Sequence, residues 1–506
     1  MMIAKKAVAA KAGELNGYVD QLSDLIVKAI DEHMPLHEVE EQTFRVLLKL
    51  GRETLQLLFD LLGPGDVGEN CTLPNGRTVK RLDEQHSRPY QSIFGEFELE
   101  RFVYGCGKGR KIELIPLDAR LALPENKFSY LLQDWDQSLA TEEPFAKVSG
   151  VIKKILGLQQ HVDSLERMNR DMSETVSDFH MTQTAPPPAE EAEILVQTAD
   201  GKGVPIRRPA DAPAIHEHRS KSGPKPDRKK MAILGSVYSI DPHVRTPEEV
   251  VESLFRQPGE TRPKSDRPHP QHKRVRAVLN HETAEGDPIR ASAAVFGWMA
   301  DEVTARNPQG EKPVVCVMDG QESLWEERDV FQDDQTTIDV LDLLHVTPRV
   351  WQAAHLFYPV GSDAAEQFVR QRVLRILRGE VGSVIRGLRC MGTAHRLRGA
   401  KENNLAKICN YLEKNQHRMR YDEYLARGYP IASGVIEGAC RHVVKDRLER
   451  TGMTWTVDGA QAMLQLRCIH LSDEWDNFTT FRFEKETKRL YPYRESMNEK
   501  TWALAT

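Results

Sequence analysis

The chain has no apolar run near the roughly 18 residues that a membrane-crossing helix needs, so a transmembrane protein is not expected. It also lacks a positive surplus. Against 69 Lys plus Arg stand 75 Asp plus Glu, a formal charge of −6, which excludes a wholly basic coating protein while leaving room for local basic patches. Paired cysteines are missing: the seven, at 71, 106, 316, 390, 409, 440 and 468, form no C-x-x-C and no Cys/His zinc spacing. Free thiols in a reducing cytoplasm are expected. The start, MMIAKKAVAAKAG, has too short and too alanine-based an apolar run for a secretory signal. Without G-x-x-x-x-G-K-[ST] there is no support for phosphate-loop nucleotide hydrolysis, and H-E-x-x-H is absent. Ser433-Gly434 in IASGV lacks the G-x-S-x-G elbow of an α/β-hydrolase. No fixed-period repeat is visible.

What is present reads as a soluble protein of several domains, with 506 residues and 40% hydrophobic content to build a large core. Residues 1–135 read as a helical region with a β-hairpin. GYVDQLSDLIVKAIDEH and VEEQTFRVLLKLGRETLQLLFDLLG carry helical periodicity, while GRTVKRLDEQH and QSIFGEFELERFVYG alternate apolar and polar residues. Residues 136–176 contain a short helix, a break at Gly157 and a second helix, the outline of a helix-turn-helix or of two ordinary bundle helices. A Pro-rich acidic linker is expected at 177–193. Then EILVQTADGKGVPIRR reads as strand, turn, strand, followed by the strands MAILGSVYSI and HKRVRAVLN, the helix SAAVFGWMADEVTAR and the doubly buried strand KPVVCVMDG. TIDVLDLLHV is a further candidate strand, closing a mixed α/β sheet over 194–349. Residues 350–430 are helical by pattern, and 431–506 begin with SGVIEGACRHVVKDRLER.

Three carboxylates stand where such a sheet gives them use. Asp200 and Asp319 each follow an apolar run and precede a glycine, and ligands bind at the carboxyl ends of strands in open α/β sheets. Asp-Gly is equally a common turn. Glu437 has Arg441 and Lys445 one and two helical turns on, either an exposed salt-bridged face or a carboxylate held against the sheet by cations or metal. Two strands and a helix supplying Asp200, Asp319 and Glu437 match a site for two Mg²⁺ or Mn²⁺ ions and phosphoryl transfer. Residues 219–230 hold six basic and one acidic residue, and 256–276 hold seven and two. Lys229, Lys230, Lys273 and Arg274 from these runs join Arg441 and Lys445 as candidate DNA contacts, though such runs also occur as solvated loops.

The segments GYPIASGVIEGACRHVVKDRLERTGMTW, VVCVMDGQESLW, VLDLLHVTPRVWQAAHLF and ILVQTADGKGVPIRR resemble ISKra-type transposases of bacterial insertion sequences, over roughly residues 80–480. Those are DDE transposases with an RNase H-like core, related to the Mutator-like branch. The resemblance implies Asp200, Asp319 and Glu437 as the catalytic, metal-holding carboxylates, a helical insertion before the last of them, and Asp342 with His345 as an auxiliary pair. It implies a bacterial cytoplasmic protein that binds its element's terminal repeats and target DNA, without a membrane, as a homodimer or larger assembly. The rivals are a metal-dependent nuclease or resolvase with the same triad, and a domesticated DNA-binding protein without catalysis.

Overall fold

A computed structural model describes residues 8, 13–106, 111–207, 229–256, 267–282, 286–332, 337–450 and 452–498. They fall into two compact units, one of residues 1–175 and 476–506, the other of 176–475. Of the two basic runs, residues 219–228 and 257–266 lie outside the described residues.

The first unit opens with α1 (Gly13–Asp31) and α2 (Leu36–Leu62). β1 (Asn70–Thr72), β2 (Thr78–Arg81), β5 (Tyr104–Gly105) and β6 (Ile112–Leu114) make a small sheet, and β3 (His86–Ser92) pairs with β4 (Gly95–Arg101) as a hairpin. Short α3 (Pro116–Leu121), α4 (Tyr130–Glu142), α5 (Phe145–Leu156) and α6 (Val162–Ser173) follow. Gly157, left-handed at φ 75°, ends α5, and the Arg45 guanidinium caps its last turn through the Lys154 and Ile155 carbonyls. α5 and α6 are two helices separated by the break at Gly157, an arrangement that a helix-turn-helix and a pair of ordinary bundle helices share. Buried Asp118 accepts ion pairs from Arg88 at 2.8 Å and Arg101 at 2.5 Å, fixing α3 to the hairpin.

In the second unit α7 (Val176–Thr182) occupies the first part of the expected linker, because Val176 and Phe179 are buried. A five-stranded sheet follows, in the order β13-β12-β7-β8-β9. β7 (Ile194–Pro205), β8 (Lys229–Ile240) and β9 (Gln271–Leu279) form an antiparallel meander; α8 (Pro247–Leu254) lies between β8 and β9 in the chain. After the two-residue strands β10 (His281–Glu282) and β11 (Pro288–Ile289) come α9 (Ala291–Arg306) and β12 (Val314–Met318), parallel to β7. α10 (Glu322–Phe331) leads to β13 (Thr337–Leu341), parallel to β12. Every residue of β12 is buried, as its apolar β-branched run requires of a strand covered on both faces. The fold class is therefore mixed α/β.

The remainder of this unit is helical: α11 (Leu343–Ala354), α12 (Asp363–Leu377), α13 (Val381–Ala394), α14 (Ala400–Lys414) and α15 (Tyr421–Ala426), then α16 (Gly434–Ala439), a π-turn over Cys440–Lys445, α17 (Asp446–Leu448) and α18 (Val457–Leu471). Ile194, Val196, Val315 and Val317 of the sheet share a core with Phe368, Val373, Leu388 and Leu412 of these helices. α19 (Trp475–Leu490) and α20 (Arg494–Asn498) contribute to the first unit from Asp476 on, so the expected C-terminal part 431–506 divides at Trp475. No described helix is long and apolar enough to cross a membrane.

Two readings of local structure need correction. EILVQTADGKGVPIRR is not strand, turn, strand: β7 runs unbroken through Asp200-Gly201, paired residue by residue with β8 from Ile194↔Ile240 to Pro205↔Lys229. Twelve residues of ladder override the turn preference of Asp-Gly. TIDVLDLLHV is strand only to Leu341, because the Asp342 side chain accepts from the Leu344 N–H and starts α11.

Candidate active site

The parallel register of β7, β12 and β13 sets the middle of β7 level with the carboxyl ends of β12 and β13. Asp200 sits within β7, its Oδ1 accepting from the Gly201 N–H at 2.7 Å and its Oδ2 from the Cys440 thiol at 3.2 Å. Asp319 immediately follows β12; its Oδ1 accepts from the Gln321 N–H at 2.8 Å, and its carbonyl from the Trp325 indole at 2.6 Å. Asp342 follows β13, and its N–H donates to the Met318 carbonyl at 2.8 Å, carrying the β12–β13 pairing one residue further. This carboxylate is fully buried. Its Oδ1 takes the Leu344 N–H at 2.8 Å, and its Oδ2 contacts His345 Nδ1 at 3.0 Å and the Ser433 hydroxyl. Glu437 projects from α16, exposed, its own N–H bonded to the Ser433 carbonyl. Asp342, His345 and Glu437 each offer a ligand atom within 4.8 Å of the others.

These groups feel one another's charge. Burial raises the Asp319 carboxyl above its ordinary value, and Asp200 and Asp342 push it further against the Gln321 N–H and His345. Glu437 is raised by partial burial and then by Asp342 and Asp200. His345 is raised by its hydrogen bond to Asp342, with Asp319 and Glu437 adding to the effect. Asp342, Asp319 and Glu437 act on one imidazole, and Asp200 acts on Asp319 and Glu437, a concentration of negative charge that a cation would relieve.

Among the described residues, Glu437 has no ion pair with the expected cations Arg441 and Lys445. The helix widens into the π-turn over Cys440–Lys445 shortly after Glu437. Arg441 pairs instead with Asp446 at 3.6 Å, His442 with the same carboxylate at 3.0 Å, and Lys445 is exposed. A buried guanidinium stabilises this widened turn: Arg467 of α18 donates to the Val443 carbonyl at 3.0 Å and to that of His442. Beyond α17 the GMTW segment is tied to the end of β7, the Trp455 N–H donating to the Pro205 carbonyl at 3.0 Å and the Trp455 carbonyl accepting from the Arg207 N–H at 2.7 Å. The Trp455 indole caps the Leu448 carbonyl at 3.1 Å. The C-terminal side of the Glu437 helix is thereby tied to the strand that carries Asp200.

The candidate basic residues divide. Lys229 and Lys230 line a cavity of about 640 Å³ with Gly201, Lys202 and Gly203, and Lys229 also pairs with Glu449. Lys273 lines another of about 660 Å³ with Gly434 and Gly438 of α16 and His442 of the π-turn. Arg274 is engaged structurally, by Glu302 at 2.8 and 3.1 Å, the Thr184 carbonyl at 2.8 Å and Glu474 at 3.4 Å.

Sequence reading missed Ser433, Cys440, Lys202 and Tyr411. Lys202 lies two residues past Asp200 and so on the same face of β7. Tyr411 of α14 fills the space beside Gly320, where a Cβ would come within 2.3 Å of its ring. That glycine leaves room for the Tyr411 ring of α14. Burial, then Asp319 and Asp342, pushes the Tyr411 hydroxyl up to about 12, and the Arg349 guanidinium lies 5.0 Å over its ring. Alternation along the strand was the one available signal, and only for Lys202.

No family model matches the chain, and no curated protein matches it. Among solved structures it is similar to the Drosophila P element transposase strand transfer complex, at 12% identity over 77% of this chain and 86% of that one, with a TM-score of 0.25. A likeness of that size carries no argument, and function rests on the site itself.

Proposed function

We propose that this chain is a DDE-type DNA transposase of the ISKra kind, which cuts DNA at its element's ends and joins the 3′-ends to target DNA. The observation that carries the reading is the convergence of Asp200, Asp319, Asp342 and Glu437, from the middle of one strand, the ends of two more and a following helix, on one mutually repelling cluster. The strand order β13-β12-β7-β8-β9, with β8 alone reversed, supports an RNase H-like core.

The donor set suits Mg²⁺ or Mn²⁺. Among the described residues, Asp319 Oδ2 and both Glu437 oxygens accept no hydrogen bond, and the remaining contact of Asp200 Oδ2 is a weak thiol donor. Asp200, Asp319 and Glu437 would hold two ions, which when bound supply activation of a water or 3′-hydroxyl and stabilisation of the leaving oxygen. Asp342 has both oxygens engaged within the protein and acts on its neighbours, orienting Ser433 and favouring the charged form of His345 beside a phosphate. Lys202, Lys230, Lys273 and the exposed Arg441 and Lys445 flank the cluster for a polyanion. The helix-turn-helix α5–α6 is assigned to the element ends, in a homodimer or larger assembly on DNA in the bacterial cytoplasm.

A second assignment of the same site is favoured by the spacing of Asp342, His345 and Glu437, whose mixed oxygen and nitrogen donors suit Mn²⁺ or Zn²⁺ better than Mg²⁺. Incubating the protein with the DNA that flanks its reading frame, with and without Mg²⁺, tests the function. Cut and joined products support transposition, cutting without joining supports a nuclease or resolvase, and binding alone supports a non-catalytic DNA-binding protein.

A further inference from the structure

The α1–α2 hairpin carries an apolar flank that its own unit leaves uncovered. On α1 the shielded positions are Leu15, Tyr18, Leu22, Leu25 and Ala29, and on α2 Val39, Thr43, Val46 and Leu50; their three- and four-residue spacing marks the faces that meet. A different stripe is exposed. Val19, Ile26, Val27 and Ile30 on α1, and Leu36, Phe44 and Leu47 on α2, are each between 40% and 73% accessible. Counting about 100° per residue, the centre of each stripe lies roughly a quarter-turn from the helix's buried face, in the same rotational sense on both helices. Because the helices run antiparallel, both stripes emerge on one side of the hairpin. From Gly13 to Leu58, among the described residues, only Leu25 is fully buried, so the hairpin has little core of its own.

Charge argues against DNA as the occupant, since residues 13–62 hold ten acidic and four basic side chains. We infer that the flank is a self-association surface, occupied by the same flank of a second copy in an antiparallel four-helix bundle. A two-fold axis places the stripe of α1 and α2 against itself, the isologous arrangement that closed dimers use. Area agrees. If each of the seven side chains exposes on the order of 100 Å², the flank offers roughly 700 Å² per copy, close to the ~800 Å² per partner of a stable interface. This surface is independent of the active-site reading, and its test uses no catalytic readout.

Light scattering on the full chain at moderate salt without DNA is expected to give twice the 57.5 kDa chain mass. Ile26→Glu with Leu47→Glu should give a monomer with unchanged far-ultraviolet circular dichroism. Mixing it with Ile26→Lys/Leu47→Lys should restore a dimer, which a variant that had merely misfolded would not do. A monomeric wild type, a double variant that remains dimeric, or a mixture that stays monomeric would each overturn the inference.

Discussion

The Cys440 thiol lies 3.2 Å from Asp200 Oδ2, joining the π-turn of the Glu437 helix to the middle of the sheet's first strand across 240 residues of sequence. With the Gly201 N–H on the other oxygen, it fixes the orientation of that carboxylate. The orientation of Asp200 therefore depends on a helix irregularity as well as on its own strand.

Asp200→Asn, Asp319→Asn and Glu437→Gln are each expected to abolish DNA cleavage while leaving DNA binding intact. Asp342→Asn should cost about 10–100-fold and retain measurable cutting, because that side chain acts through His345 and Ser433. A gel assay of cleavage beside a mobility-shift assay decides the matter. Normal cutting by Asp200→Asn with none by Asp342→Asn would favour the Asp342–His345–Glu437 assignment instead.

Cys440 should resist alkylation in the folded protein. Burial raises its thiol first, and the adjacent Asp200 charge raises it further, so little nucleophilic thiolate is present at neutral pH. Cys106 and Cys390 are exposed. Mass spectrometry after brief native iodoacetamide treatment should find those two modified and Cys440 untouched until denaturant is added. Early labelling at 440 would mean that the helix does not sit on β7 as described.

Arg467→Met should destabilise the second unit by roughly 1–3 kcal/mol, since the buried Val443 carbonyl and the part-buried carbonyl of His442 lose their donor. Catalysis should fall with it, because the π-turn then has less to keep it open. Chemical denaturation alongside the cleavage assay reads both effects, and an unchanged denaturation midpoint would contradict this role for the guanidinium.

Asp136 of α4 predicts a pH dependence in the first unit. Burial raises its carboxyl to about 7 from an ordinary 3.8, opposed in part by a hydrogen bond from Gln160. The folded chain thus holds this proton more tightly than the unfolded chain. The contribution is full below about pH 4 and is lost as pH rises through about 7, a change on the order of 4 kcal/mol at most. Asp136→Asn should therefore match the wild type in acid and exceed it in thermal stability above neutrality. A stability difference that stays constant across pH would contradict this.

Much of the sheet was legible because burial on both faces demands β-branched runs such as VVCVM, and the order of the strands followed from where the crossover helix falls. The helical insertion showed in three- and four-residue spacing. Asp200 was legible as a candidate but not as a mid-strand residue, since the ladder to β8 that overrides its turn preference comes from a distant segment. Leu341-Asp342-Leu343-Leu344 is apolar on both sides of the aspartate, so the change from strand to helix left no compositional mark. The π-turn depends on Arg467, and the filling of the Gly320 notch on Tyr411, neither of which any local motif connects to the site.

The most direct test is joining of labelled element-end DNA to a target plasmid by the full chain. Joined product is expected with Mg²⁺ or Mn²⁺, and none in excess EDTA or from Asp319→Asn. Undiminished product in EDTA, or from Asp319→Asn, would contradict a metal-dependent site built on Asp200, Asp319 and Glu437.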